Sequence, residues 1–269
     1  MSSPRPASAN RSSWLRLVLI VVAVALLAAA AAGAWYLFLR APAPAAVALG
    51  AEPAPTTSAS ADATADPTAE ATASATPGAA TTDPTGLDGT WTVDGSIGSF
   101  ADFSGSFVGY RVLEELVGVG AATAVGRTPD VTGSLVLSGT TITEASFEAD
   151  LTTLQSDNDM RDGQLGRQGL ETDAYPTATF VLAEPIDLGV VPAEGETIQA
   201  TAVGDLTLHG VTQRVEIAVE ARLTDGVVTV VGSLPIAFGD YGMTAPESMR
   251  VLSIDDNGTM EFQLQFAQA

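Results

Sequence analysis

Residues 198–238 read IQATAVGDLTLHGVTQRVEIAVEARLTDGVVTVVGSLPIAF, and three strand-like segments joined by two short turns keep their apolar side chains on one face. In the first segment the even positions Ile198, Ala200, Ala202, Gly204, Leu206 and Leu208 are apolar or small, while Gln199, Thr201, Asp205 and Thr207 alternate with them. That two-residue period predicts a half-buried strand. A two-residue turn at His209-Gly210 pairs Leu208 with Val211 and moves the inward set to odd positions: Val215, Ile217, Val219, Ala221 and Leu223. Asp225-Gly226 is a strong hairpin signal because both residues accept the positive φ of a primed turn. It returns the inward set to Val228, Val230, Leu234, Ile236 and Phe238. A one-residue slip would put this whole set in water. The segment therefore predicts an antiparallel meander with one apolar face.

The run from Val211 to Leu223 would extend roughly 40 Å at about 3.3 Å per residue, about twice the usual strand. Strands of that length suit a tall, curved sheet. From the residues alone two architectures stay open. One is a barrel of about eight strands whose mostly small and aliphatic inward residues leave room for a ligand. The other is a filled sandwich core.

The same two-residue alternation extends beyond the meander. Trp91–Val93 opens the domain, and Phe107–Arg111 follows. Val131, Gly133, Leu135 and Leu137 share a face that a three-residue loop, Gly139–Thr141, would continue through Thr143, Ala145, Phe147, Ala149 and Leu151. Met260, Phe262, Leu264 and Phe266 alternate with Glu261, Gln263 and Gln265 after an Asn257-Gly258 turn signal. Two segments break the pattern. Val112–Val117 suggests a short helical turn, and Asp157–Gly169 a short helix or ordered loop capped by Ser156 or Asp157.

The chain has 269 residues, no Cys and no Lys, so disulfides, Cys-ligated metals, Cys nucleophiles and Schiff-base lysines are excluded. Residues 1–40 carry four Arg and no acid, residues 41–87 five acids and no base, and the remainder 27 acids against seven Arg. So acidic a domain repels nucleic acid and anionic lipid surfaces.

Leu17–Leu39 is an uncharged run of 23 residues, long enough to cross a membrane as a helix. Trp14, Trp35 and Tyr36 lie near its ends, and Arg5, Arg11 and Arg16 precede it, so residues 1–16 are expected in the cytoplasm. A cleaved signal peptide is the competing reading, but Trp35–Leu39 prolongs the apolar run past the small residues Ala28–Ala34. Both readings export the rest. Residues 40–87, rich in Ala, Pro, Thr and Ser, cannot bury enough surface to fold and form a linker spanning about 40 Å as a flexible coil. Residues 88–269 are the folded domain.

Two motifs then stand out: RDGQLGRQGLETDAYPTATF over 161–180 and GDLTLHGVTQRV over 204–215. Their order and spacing resemble those of the YceI-like family of lipid- and polyisoprenoid-binding proteins, in which R-D-x-x-L leads to a Y-P-x-x-x-F strand and a later G-x-L-T-x-x-G-V-T hairpin begins a long strand. The resemblance implies an all-β, antiparallel, lipocalin-like barrel of about eight strands with one or two short helices. It further implies a domain outside the cytoplasm, a polyisoprenoid, isoprenoid quinone or similar amphiphile as ligand, no cofactor, no covalent chemistry, and a homodimer of barrels. The chain departs from the family over Phe100–Gly120, where an extended strand is expected, and at Arg127-Thr128, where an aromatic residue is expected.

The residues expected to line the cavity are Leu165, Leu170, Tyr175, Phe180, Leu206, Gln213, Val215, Ile217, Val219, Leu223, Ile236 and Phe238. Gln213 is the one clearly polar residue among them on its strand and requires a partner: a ligand oxygen, a water or a backbone group. Arg161 and Asp162 are expected to pair and to fix the helical segment over one barrel end, the alternative being direct contact with a ligand head group. Asp157, Asp159 and Asp162 resemble a calcium loop, but Arg161 stands at the fifth liganding position and Gly163 is displaced by one. A capped helix start explains the acids without a metal. His209, the only histidine, is expected as a turn residue. The rival functions are a filled-barrel interaction module of the cell envelope, and a hydrolase or isomerase with paired carboxylates, for which no spacing speaks.

Overall fold

The computed structural model describes residues 21–22, 24–27, 43–49, 86–249 and 251–269. These fall in two compact units, 1–44 and 45–269. In the first, residues 21–22 and 24–27 are helical. The rest of the apolar run 17–39 lies outside the described residues, as does most of the linker, and among the described residues no helix is long and apolar enough to cross a membrane.

Among its described residues the second unit holds thirteen strands: β1 (Gly89–Val93), β2 (Phe107–Leu116), β3 (Gly120–Thr128), β4 (Val131–Ser138), β5 (Thr141–Asp150), β6 (Gln155–Ser156), β7 (Thr177–Leu182), β8 (Ile186–Asp187), β9 (Thr197–Leu208), β10 (Val211–Thr224), β11 (Val227–Ala237), β12 (Val251–Ile254) and β13 (Asn257–Gln268). One short helix, α1 (Asp159–Gln164), runs on into a wider π-type turn, Leu165–Gly169.

Eight strands in the order β1-β4-β5-β7-β9-β10-β11-β13 close on themselves because β13 pairs back to β1, Val93 opposite Phe266, so the unit is an antiparallel barrel. The meander has the register the sequence predicts. Leu208 pairs with Val211, Val219 with Ala200 and Gly232, and Leu223 with Val228. Both turns take positive φ, 51° at His209 and 51° at Asp225, each followed by a positive-φ glycine.

Three local expectations are corrected. Val112–Val117 is not a helical turn, since β2 continues to Leu116, held by β3 on one side and by β12 on the other. The extended strand that the family pattern calls for between 100 and 120 is therefore present. The 139–141 connection is a two-residue turn, and a bulge at Val136/Leu137 takes up the extra residue, placing Leu137 opposite Ile142. Ile142, not Thr143, then joins Ala145, Phe147 and Ala149 on the inner face.

The long strand β13 serves two partners. Its last residues pair with β1, and its first half pairs with β2 from Thr259–Arg111 to Gln263–Phe107. At that end β2 and β3 replace β1 beside β13, and the far edge of β3 pairs, among the described residues, only with the two-residue β6. Leu151, Leu154, Leu165 and Leu170, from the segment carrying α1, complete the wall there.

Outside the barrel, the connection 94–106 folds back over β13 and buries its outward polar residues. Gln263 donates to the carbonyls of Phe103 and Gly105, and Gln265 to that of Ser104. Glu261, 1% exposed, accepts from Arg127 at 2.6 Å and pairs with Arg111 at 3.4 Å. The Arg127 guanidinium lies 4.4 and 4.3 Å from the ring centroids of Phe103 and Phe107. Where the family pattern calls for an aromatic, this chain thus places a cation between two. Arg127 also donates to the carbonyl of Ala45 at 2.9 Å, so this part of the linker touches the barrel wall.

Candidate functional site

The barrel interior is not completely occupied. Three apolar chambers of about 70, 130 and 140 Å³ adjoin along it. The smallest is bounded by Leu87, Trp91, Pro192 and Leu223. It shares Leu135, Ile142 and Val230 with the central chamber, which shares Val108, Ala178 and Met260 with the third. The third lies beneath α1, the π-type turn and Met243–Pro246. Apolar cavities of about 150 Å³ stay dry and admit a benzene-sized guest.

The vacancy has a local cause. Four aromatic rings on the inner face crowd glycines of neighbouring strands, with ring atoms 2.3–2.5 Å from where the glycine's Cβ would stand: Tyr110 at Gly126, Phe147 at Gly133, Phe180 at Gly204 and Phe262 at Gly232. In three of the four the partners stand directly opposite in the ladder. A side chain at the glycine would push the ring toward the barrel axis, so glycine and ring together keep the axis open.

Of the residues expected to line a cavity, Phe180, Leu206, Ile217 and Val219 face the central chamber. Leu165, Leu170, Ile236 and Phe238 face the helical end, and Leu223 faces the small chamber. Three do not border any of the three chambers. Tyr175 packs against His209, with ring centroids 4.3 Å apart and the ring planes tilted by 52°, and covers the turn at His209-Gly210. Val215 packs against the cluster of Leu206, Ile236, Tyr241 and Met243. Gln213 donates to the carbonyl of Asp240 at 3.0 Å, the backbone partner that an inward amide near a barrel end requires. His209 sits in its turn with Nδ1 3.1 Å from the Tyr241 carbonyl.

The Arg161–Asp162 pair does not form. Arg161 instead donates to Glu114 of β2 at 2.6 Å and also engages Asp157. Asp162 accepts from the backbone N–H and, at 2.5 Å, the hydroxyl of Ser156, and Asn158 rather than Ser156 or Asp157 caps α1. The reason is competition: Ser156 and Asp157 are already engaged, and only the Asn158 carboxamide is free to meet the N–H groups of Met160 and Arg161. Arg161 still fixes the helical segment over the barrel end, through β2. Burial works against its charge, but Glu114 and Asp157 more than offset this and raise its pKa.

Tyr110 and Glu114, which also border the helical-end chamber, were not legible as site residues: Tyr110 reads only as one residue of the Phe107–Arg111 strand, and Glu114 falls in Val112–Val117, which lacks a two-residue period. Burial, then the nearby Asp162 carboxylate, pushes the Tyr110 phenol well above its ordinary pKa.

A model of the YceI-like domain matches residues 91–266. The chain belongs to the YceI-like family. Among solved structures, a polyisoprenoid binding domain from Saccharophagus degradans implicated in plant cell wall breakdown is 24% identical, with a TM-score of 0.52 over 66% of this chain and 98% of that one. BcnA of Burkholderia cenocepacia is 19% identical, with a TM-score of 0.48, covering 64% and 98%. A Campylobacter jejuni YceI protein is 14% identical, with a TM-score of 0.42, covering 52% and 82%. No curated protein matches the chain. The first likeness shows that the YceI-like domain here has the same barrel fold.

Proposed function

We propose that this YceI-like protein is a membrane-anchored, extracytoplasmic carrier that holds a polyisoprenoid or similar amphiphilic lipid inside its barrel without covalent chemistry. The observation that carries this reading is the row of adjoining apolar chambers, kept open by rings lying over glycines. The binding named for the Saccharophagus degradans domain agrees with it. A chain burying roughly 400 Å² at about 25 cal/mol per Å² gains about 10 kcal/mol before the costs of association. No catalytic group is required. Anchoring and export rest on the apolar run 17–39 and the arginines before it.

The test is uptake of polyprenols of graded length by the purified full chain in detergent. Saturable binding with one site per barrel supports the carrier. Absence of uptake at every length, together with a protein partner captured by the barrel surface, supports an interaction module instead. A reporter fused at the C-terminus and assayed on both sides of the membrane tests the topology, and cytoplasmic activity alone would refute it.

A further inference from the structure

The helical-end chamber contains a polar group with no hydrogen-bond partner among the described residues. The Tyr110 ring lies across Gly126, so closely that a Cβ there would sit 2.7 Å from Cζ and 2.8 Å from the phenol oxygen. That oxygen is buried and makes no hydrogen bond to any described residue. A buried hydroxyl left unpaired is destabilising, and Phe at this position would pack the same wall without the penalty.

The charges around it restrict what can meet it. Arg161 lines the chamber but is engaged by Glu114 and Asp157, while Asp162 adds a third carboxylate whose field reaches Tyr110. One matched cation among three carboxylates leaves the surroundings negative. A phosphate brought here would be stripped of water and repelled. An uncharged oxygen acceptor would not. A tyrosine phenol is protonated across the physiological range and burial raises the Tyr110 pKa further, so Tyr110 is a donor there.

We propose that Tyr110 is the head-group residue of the cavity, donating a hydrogen bond to an uncharged acceptor oxygen of the bound amphiphile, a quinone carbonyl or an alcohol, while Glu114, Asp157 and Asp162 exclude phosphorylated head groups. This rests on the carrier reading above and adds a selectivity to it. The chain of the ligand then runs from Tyr110 past Val108, Ala178 and Met260 into the central chamber.

The experiment compares wild type and Tyr110→Phe, as full chains in detergent, titrated with menaquinone-4, geranylgeraniol, geranylgeranyl phosphate and the headless hydrocarbon squalene. Loss of one neutral hydrogen bond weakens whichever of menaquinone-4 and geranylgeraniol uses it by about two- to tenfold, and squalene affinity moves less. Wild type binds geranylgeranyl phosphate at least about tenfold more weakly than geranylgeraniol. The ligand-free variant melts at or above the wild-type temperature, since it loses no bond within the protein. The assignment is overturned if both head-bearing lipids bind the variant as tightly as wild type, if the phosphate matches the alcohol, or if the ligand-free variant melts lower. In those cases squalene still binds and the carrier reading stands. If none of the four lipids binds, squalene included, the carrier reading falls and the head-group role falls with it.

Discussion

Phe262 on β13 stands directly opposite Gly232 on β11, and its ring occupies the place where a side chain at 232 would begin. The arrangement is repeated by three other rings and glycines around the barrel, and it divides the work of wall and lumen. The rings supply apolar surface without filling the centre. A barrel lined instead by Val or Leu at the glycine positions would force the rings inward.

Gly232→Ala should therefore shrink the central chamber without unmaking the sheet. The new Cβ would lie 2.5 Å from Phe262 Cζ, so the ring must swing toward the axis, and Gly232 lacks the positive φ that would strain an alanine. Overpacking of this kind costs about 1–3 kcal/mol. The expected result is a cooperative melt with modest loss of stability and a marked loss of polyprenol uptake, read by thermal unfolding and a binding titration on the same preparation.

Met260 is shared by the central and helical-end chambers and is the most adaptable of the three residues common to both. Met260→Trp is expected to act by length. Short prenyl chains that fit one chamber should still bind, and long ones should not, so that a plot of affinity against chain length flattens earlier than for wild type.

The ion pair Arg127–Glu261 belongs to the fold rather than to the cavity. It lies on the outside of the barrel, with side-chain exposures of 4% and 1%, under the 94–106 connection. Glu261→Ala leaves two guanidinium groups beside a buried void, and breaking a buried pair from one side costs about 3–5 kcal/mol. Denaturant unfolding should show that loss, while ligand affinity in the remaining folded fraction stays near wild type.

With no Lys and no Cys, the side chains that titrate in the alkaline range below arginine are the four tyrosines. Tyr110 is held above its ordinary value of 10.0 by burial and then by Asp162, and Tyr241 is raised by burial and then by Asp240. A raised folded pKa means that the native state keeps a proton that the unfolded chain releases. Stability is thus full below about pH 10 and falls as the pH rises toward the folded values. Tyrosinate absorbance should show part of the phenol signal appearing only with unfolding, and Tyr110→Phe should flatten the alkaline slope of stability.

The meander was readable because two positive-φ turns and a strict alternation agree over Ile198–Phe238, and any slip would expose its whole apolar set. β13 was readable for the same reason. The end of β2 was not. Val112-Leu113-Glu114-Glu115-Leu116 has no two-residue period, because Glu114 faces inward and is offset by Arg161, 47 positions later in the chain. Local pattern cannot show so distant a partner. Gly133 and Gly204 stand on inner faces in the sequence pattern, but their role, like that of Gly126 and Gly232, depends on which ring lies beside each, and that is set by register between strands. The burial of Glu261, Gln263 and Gln265 escaped alternation as well, since a polar face predicts direction but not the loop that covers it.

The central claim, that the barrel lumen houses an amphiphile, is met most directly by mass spectrometry of organic extracts from the full chain purified from cells that produce it naturally. The account predicts recovery of a prenyl or comparable long-chain lipid near one molecule per chain, diminished in Gly232→Ala. Repeated recovery of no such lipid, with no occupancy after incubation with added polyprenol, would contradict it.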